Sequence, residues 1–334
     1  MGSSRWSDDF YFSRETDRKH TGKSAFEYDA EMRARPVEAR RCHEKLNPYG
    51  VMRESRDSDV HPESLAIGVI FDETGSMGSI PITLQKKLSQ LMGLLLRRGY
   101  VEHPQMLFGA VGDANYDVAS LQIGQFESGI EMDDELARLY LEGGGGPFGQ
   151  ESYQNALYFF ARHTAIDCYE KRRKQGYLFL IGDERPYMEV SAKEISTLIG
   201  DDLAQDIPLQ HIIAEAREKY HVFFIIPSGA SGGKDTGIAR TWVSLLGQAY
   251  VLRLADPAAV CEAIALAIGM TEEKITLEEG LHHLEETGMS AHAARSVSTA
   301  LAPYATSQAL ATRVEVAGLP EISGASSRLR TKRL

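Results

Sequence analysis

The feature that most constrains this chain is a series of short runs dominated by apolar residues, several of them apolar on both faces. "LAIGVIF" (65–71), "QMLFGAVG" (105–112), "GYLFLIGD" (176–183) and "HVFFIIPSG" (221–229) read as strands, and "AYVLRL" (249–254) is a fifth candidate. A strand that is apolar on both faces has to be covered on both, which is the condition of a parallel sheet between helix layers. Helical patterns fall between these runs. "ITLQKKLSQLMGLLLRRG" (82–99) has helical spacing and is closed by Gly99, while "DDELARLYL" (133–141) and "ESYQNALYFFARHT" (151–164) also look helical. "PAAVCEAIALAIG" (257–269) is a helix opened by Asp256 as N-cap with Pro257 at its first position. "VASLQIGQF" (118–126) alternates like a strand with one face out. The expected fold class is α/β, with a Rossmann-like, doubly wound, mostly parallel central sheet and helices on both faces.

The flanks differ from this middle. Residues 1–61 mix both signs of charge with little apolar period and are expected to be a charged extension lying along the main domain. Within it, "FEYDAEMRARPVEARRCHEKL" (26–46) reads as a helix broken at Pro36. The main domain is expected over 62–270 and a small helical hairpin over 271–304. In the hairpin Thr276 and Glu279 form a capping box, Leu277, Leu281 and Leu284 make one stripe, and Gly288 marks the turn. From 305 to 334 the pattern reads as a polar tail ending in the basic run "RLRTKRL".

Composition narrows the function classes. A net charge of −11 disfavours a general nucleic-acid surface. The apolar runs are too short to cross a bilayer, and the first ten residues have no signal-peptide core. Three scattered cysteines, Cys42, Cys168 and Cys261, match no metal or redox spacing and fit a reducing compartment, so the expected location is the cytoplasm.

The chemistry is expected where "VIFDETGSMGSI" (69–80) leaves the first strand. Ligands of parallel sheets bind beyond the carboxyl ends of the strands, which puts Asp72 and Asp183 on one edge, since each ends a buried strand. A phosphoaspartate hydrolase would need a second acid at position 74, which is Thr74. A serine nucleophile elbow would need glycine there. By itself the motif reads as a polar turn without a ligand. Placed between a buried strand and a long helix, with Asp183 downstream, Asp72, Thr74 and Ser76 at alternate positions can present three oxygens to a hard cation.

Together these residues resemble a von Willebrand factor A (VWA) domain with a metal-ion-dependent adhesion site. "FDETGSMG" is similar to the family's Asp-x-Ser-x-Ser motif, with Thr74 keeping the hydroxyl of the first serine, and "LFLIGDERP" is similar to the strand that ends in its later aspartate. "EGGGGPFGQESYQNAL" (142–157) resembles the glycine-rich second loop of a bacterial and alpha-kinase-associated branch. The resemblance implies a metal set of Asp72, Thr74, Ser76 and Asp183. It implies Mg²⁺, or another divalent ion such as Mn²⁺ or Ca²⁺, with a partner protein's carboxylate completing the coordination. Intracellular relatives act beside AAA+ ATPases, and this chain has no ATPase motif of its own. The sequence departs from the family in having no threonine between 142 and 163. Gln150, Glu151 or Ser152 is left as a substitute, and Glu151 reads first as a first-turn helix acid.

The expected function is therefore a metal-dependent protein-binding adaptor or scaffold rather than an enzyme. The alternatives are a metal-dependent hydrolase using an acid such as Glu73 or Glu184, and a scaffold whose metal site is degenerate. Other motifs carry less. "HTGKSAF" (20–26) ends like a phosphate-binding loop but lacks its first glycine and a preceding strand. "PSGASGGKDTG" (227–237) reads as a loop near the same edge, Asp113 and Asp117 as rim acids, and His282 and His283 as surface or packing residues.

Overall fold

The computed structural model describes residue 2 and residues 4–73, 75–77, 80–228, 232–233 and 235–317. Its centre is a six-stranded sheet. In spatial order the strands are Val251–Leu254, Tyr220–Pro227, Gly176–Ile181, Leu65–Asp72, Pro104–Val111 and Leu121–Ile123. All neighbours run parallel except the last pair, where Leu121–Ile123 is antiparallel to Pro104–Val111. Counted along the chain, the order is 6-5-4-1-2-3, so its direction reverses between the first strand and the fourth.

Every residue of Leu65–Asp72, Pro104–Val111 and Gly176–Ile181 is buried, as expected of apolar runs covered on both faces. The alternating run at 118–126 yields only the short strand Leu121–Ile123. Residues 82–99 are not one helix. They fold as Ile80–Lys86, Leu88–Met92 and a π-helical turn over Gly93–Arg97, and Gly99 closes the segment at φ +71°.

The charged extension is more structured than its pattern suggests. Asp8–Thr21 is a helix with Ser7 as N-cap and Gly22 at φ 67° as its left-handed cap. It docks with one buried ring, Tyr11, whose hydroxyl donates to the Gln85 carbonyl at 2.6 Å. Arg18 pairs with the fully buried Asp133. The helix expected across 26–46 is reduced to Glu27–Arg33, with single 3-10 turns after Pro36. The segment Arg53–Ser55 pairs in parallel with Thr164–Ile166, which ties the extension's end to the main domain.

At the other end the capping box at Thr276 and Glu279 forms, and the helix Leu277–Glu286 follows it. The next helix, Ala291–Ala317, continues through Pro303 and past residue 305, where a polar tail was expected. Tyr304 explains the continuation. It is fully buried, packs edge-on against Phe223, and its hydroxyl is 2.6 Å from that of Thr271. The basic run 328–334 lies outside the described residues. Among the described residues, no helix is long and apolar enough to cross a membrane.

Candidate functional site at the carboxyl edge of the sheet

Residues Phe71 and Ile181 are register partners in the two central parallel strands. The chain therefore leaves the sheet at Asp72 and Asp183 side by side, and both are fully buried. The same edge is expected from the sequence, and the strand order adds that it is the point where the order reverses. Thr74 lies outside the described residues. Ser76 falls in a 3-10 turn, Gly75–Met77, that follows the first strand.

Each aspartate is oriented by a neighbour. The Tyr153 hydroxyl donates to Asp72 Oδ2 at 2.7 Å, and the Gly232 amide donates to Asp183 Oδ2 at 2.6 Å. Tyr153 reaches this place because position 182 is glycine: a Cβ there would lie 1.9 Å from the Tyr153 oxygen. Gly232 belongs to the 227–237 run, so the backbone of that run reaches the carboxyl edge of the sheet.

The second-loop region differs from its expected form. Glu151 is not a first-turn helix acid. It sits in a two-residue strand, Gln150–Glu151, paired in parallel with Arg185–Pro186, and the helix begins only at Tyr153. The pairing turns Glu151 inward. The residue is 2% exposed, and among the described residues its Oε2 has no hydrogen-bond partner. Burial raises its carboxyl to about 10, followed by the charges of Asp72, Asp117, Asp113 and Glu184. Ser152 is also buried, but its hydroxyl is used by the Ala114 amide at 2.9 Å.

The rim is built from more acids. Asp113 is buried and accepts from the Tyr187 hydroxyl at 2.9 Å, while Asp117 accepts from the amides of Asp113 and Gly145. The glycine-rich loop is needed here, because a Cβ at Gly144 would lie 2.0 Å from Asp117 and one at Gly146 would lie 2.5 Å from Asp113. Glu73 is buried against Gln122, whose amide donates to it, and burial followed by Glu142, Asp117 and Asp72 raises its carboxyl well above the ordinary range. Glu184 is raised as well, by burial first and Asp183 second.

Among the described residues the side chains named at this edge are oxygen donors, the donor chemistry of hard cations. Among the described residues, no three His, Cys, Asp or Glu side chains converge closely enough to hold a metal ion. Asp72 and Asp183 both lie at this edge, and the expected hydroxyl ligands are Thr74 and Ser76. In the sequence Glu151 reads as a helix-start acid, and Tyr153 carries no signal there, being one more aromatic in an amphipathic helix. The bystander histidines behave as expected: His283 meets the Tyr100 hydroxyl at 2.7 Å, and His282 lies beside Glu285 and Glu286.

No protein-family model and no curated protein matches this sequence. Among solved structures, the open form of the pilus adhesin SpaC from Lactobacillus rhamnosus GG is 11% identical with a TM-score of 0.43, covering 66% of this chain and 31% of the adhesin. Proximal thread matrix protein 1 from the mussel byssus is 12% identical with a TM-score of 0.38, covering 61% of this chain and 47% of that one. The chain thus spans less than half the length of either, and likeness at this level transfers no property to it.

Proposed function

We propose that this chain is a VWA-type module whose Rossmann-like, doubly wound sheet holds a divalent cation, Mg²⁺ before Mn²⁺ or Ca²⁺, and uses it to capture a protein. Asp72, Thr74, Ser76 and Asp183 are the ligands, and Glu151 adds negative charge beside Asp72 in the region where the family pattern has a threonine. The ion supplies a positive centre that attracts one more oxygen anion, a carboxylate of the partner. This chain's own groups bind and orient it: Tyr153 fixes Asp72 and the Gly232 amide fixes Asp183.

The observation that carries the reading is Glu151, a buried carboxyl amid Asp72, Asp113, Asp117 and Glu184, with one oxygen that no described residue partners. Buried carboxylates at one strand edge are costly unless a cation offsets them. The reversal of strand order at the same place supports it independently. Three free cysteines support an intracellular setting, where an AAA+ ATPase is the proposed class of assembly partner.

The test is calorimetric titration of Mg²⁺ and Mn²⁺ into the purified protein and its Asp72→Ala variant. Saturable binding lost in the variant is expected. Equal heats in both proteins would sink the assignment of Asp72, and absence of binding in the wild type would favour a scaffold with a degenerate site.

A further inference from the structure

Far from the carboxyl edge, at the start of the Pro104–Val111 strand, two histidines face each other. His61 Nδ1 lies 3.4 Å from His103 Nδ1, with the rings at 73° to one another. His61 is 6% exposed and its Nε2 is 2.6 Å from the Ser4 carbonyl oxygen. A carbonyl only accepts, so in the neutral imidazole Nε2 carries the hydrogen and Nδ1 presents a bare lone pair toward His103. The Ser4 carbonyl is itself fixed by the Ser128 hydroxyl at 2.7 Å, and the His103 carbonyl by the Leu65 amide at 2.9 Å.

We propose that His61 and His103 form a transition-metal site, with Zn²⁺ as the ion it fits best. Two nitrogens, each about 2.0–2.1 Å from a tetrahedral ion, stand about 3.3–3.4 Å apart, the separation seen here. By contrast, 3.4 Å is long for a direct hydrogen bond between rings, whose donor distances centre near 2.9–3.0 Å. A ligating histidine usually donates its other ring nitrogen to a carbonyl or carboxylate, which is what His61 does with Ser4. The pair opens onto a cavity of about 260 Å³, lined also by Arg5, Trp6, Glu102 and Ser128. Two protein ligands and an open side leave the remaining positions to water or to an incoming donor. Imidazole also separates this site from the oxygen donors of the carboxyl edge. Bound metal would clamp the N-terminal segment, through Ser4 and His61, to the strand that begins beside His103.

The test uses Co²⁺ as a spectroscopic stand-in for Zn²⁺ on the full chain. One equivalent of Co²⁺ is expected to give tetrahedral visible bands that Zn²⁺ displaces and excess Mg²⁺ does not. His103→Gln should weaken binding more than tenfold, while Asp72→Ala, which reports on the carboxyl edge, should leave it unchanged. Because His61 is buried, its role is read in the wild type, from the Zn²⁺-induced shift of its imidazole nitrogens in NMR spectra. Co²⁺ binding that survives in His103→Gln, that vanishes instead in Asp72→Ala, or that never appears would overturn the proposal.

Discussion

Two buried carboxylates in this molecule have opposite surroundings. Asp133, fully buried, is gripped by Arg18 through Nη1 at 3.0 Å and Nη2 at 2.6 Å, and also receives Arg14 and Gln85. Glu151, almost as buried, is raised by burial and then by other carboxylates, and one of its oxygens has no partner among the described residues. The first arrangement is complete within the chain: the N-terminal helix brings the counter-charge, and the pair fastens that helix to the domain. The second is incomplete, and it lies at the edge where a parallel sheet binds its ligands. The same residue chemistry therefore serves structure where the charge is matched internally and points to binding where it is not.

The largest effect is expected from breaking the matched side. Arg18→Ala leaves Asp133 with one distant guanidinium and an amide, and should cost about 3 kcal/mol of stability in urea denaturation. A loss below about 1 kcal/mol would mean that the helix is held by Tyr11 rather than by the ion pair. On the unmatched side, saturating Mg²⁺ should stabilise the wild type by about 2.7 kcal/mol at a hundredfold excess over its dissociation constant, and Asp72→Ala not at all. Thermal unfolding at several Mg²⁺ concentrations measures this, and a melting temperature independent of Mg²⁺ would remove the distinction between the two carboxylates.

A subtler contrast comes from Glu151→Gln in chelator-treated protein. A carboxyl whose folded value is raised, here to about 10, binds protons more tightly folded than unfolded. It therefore destabilises the fold increasingly as pH rises above the unfolded value near 4.3. The glutamine variant should be more stable than wild type by about 1–3 kcal/mol at pH 8, with the gain shrinking toward pH 5. A gain that does not change with pH would assign the effect to packing. The smallest change is expected from Tyr153→Phe, which removes the hydroxyl that orients Asp72 and should lower Mg²⁺ affinity about tenfold while the fold persists. Unaltered affinity would show that Asp72 is held without it.

Much of the framework was legible because continuous apolar runs permit few solutions. The strands ending at Asp72 and near Asp183 fall where their burial demands, and the shared edge follows from their parallel direction. The helix at 291–317 is longer than its local pattern suggests, because Pro303 and polar residues mask the packing of Tyr304. The N-terminal helix was missed for a related reason. One buried ring and an arginine pairing with a residue 115 positions away produce no apolar period. Glu151 looked like a helix-start acid because its inward turn depends on pairing with Arg185–Pro186, which local spacing does not encode.

The sequence by itself determined the long buried strands, the helix opened by the Thr276–Glu279 box, and the acids at the ends of the two central strands, since these depend on local period and burial. Only the tertiary structure decided which charges meet. Arg18 with Asp133, Glu151 beside Asp72, and His61 facing His103 are all fixed by strand order and docking. Electrostatic partners interact through space, and their distance along the chain leaves no mark on local pattern.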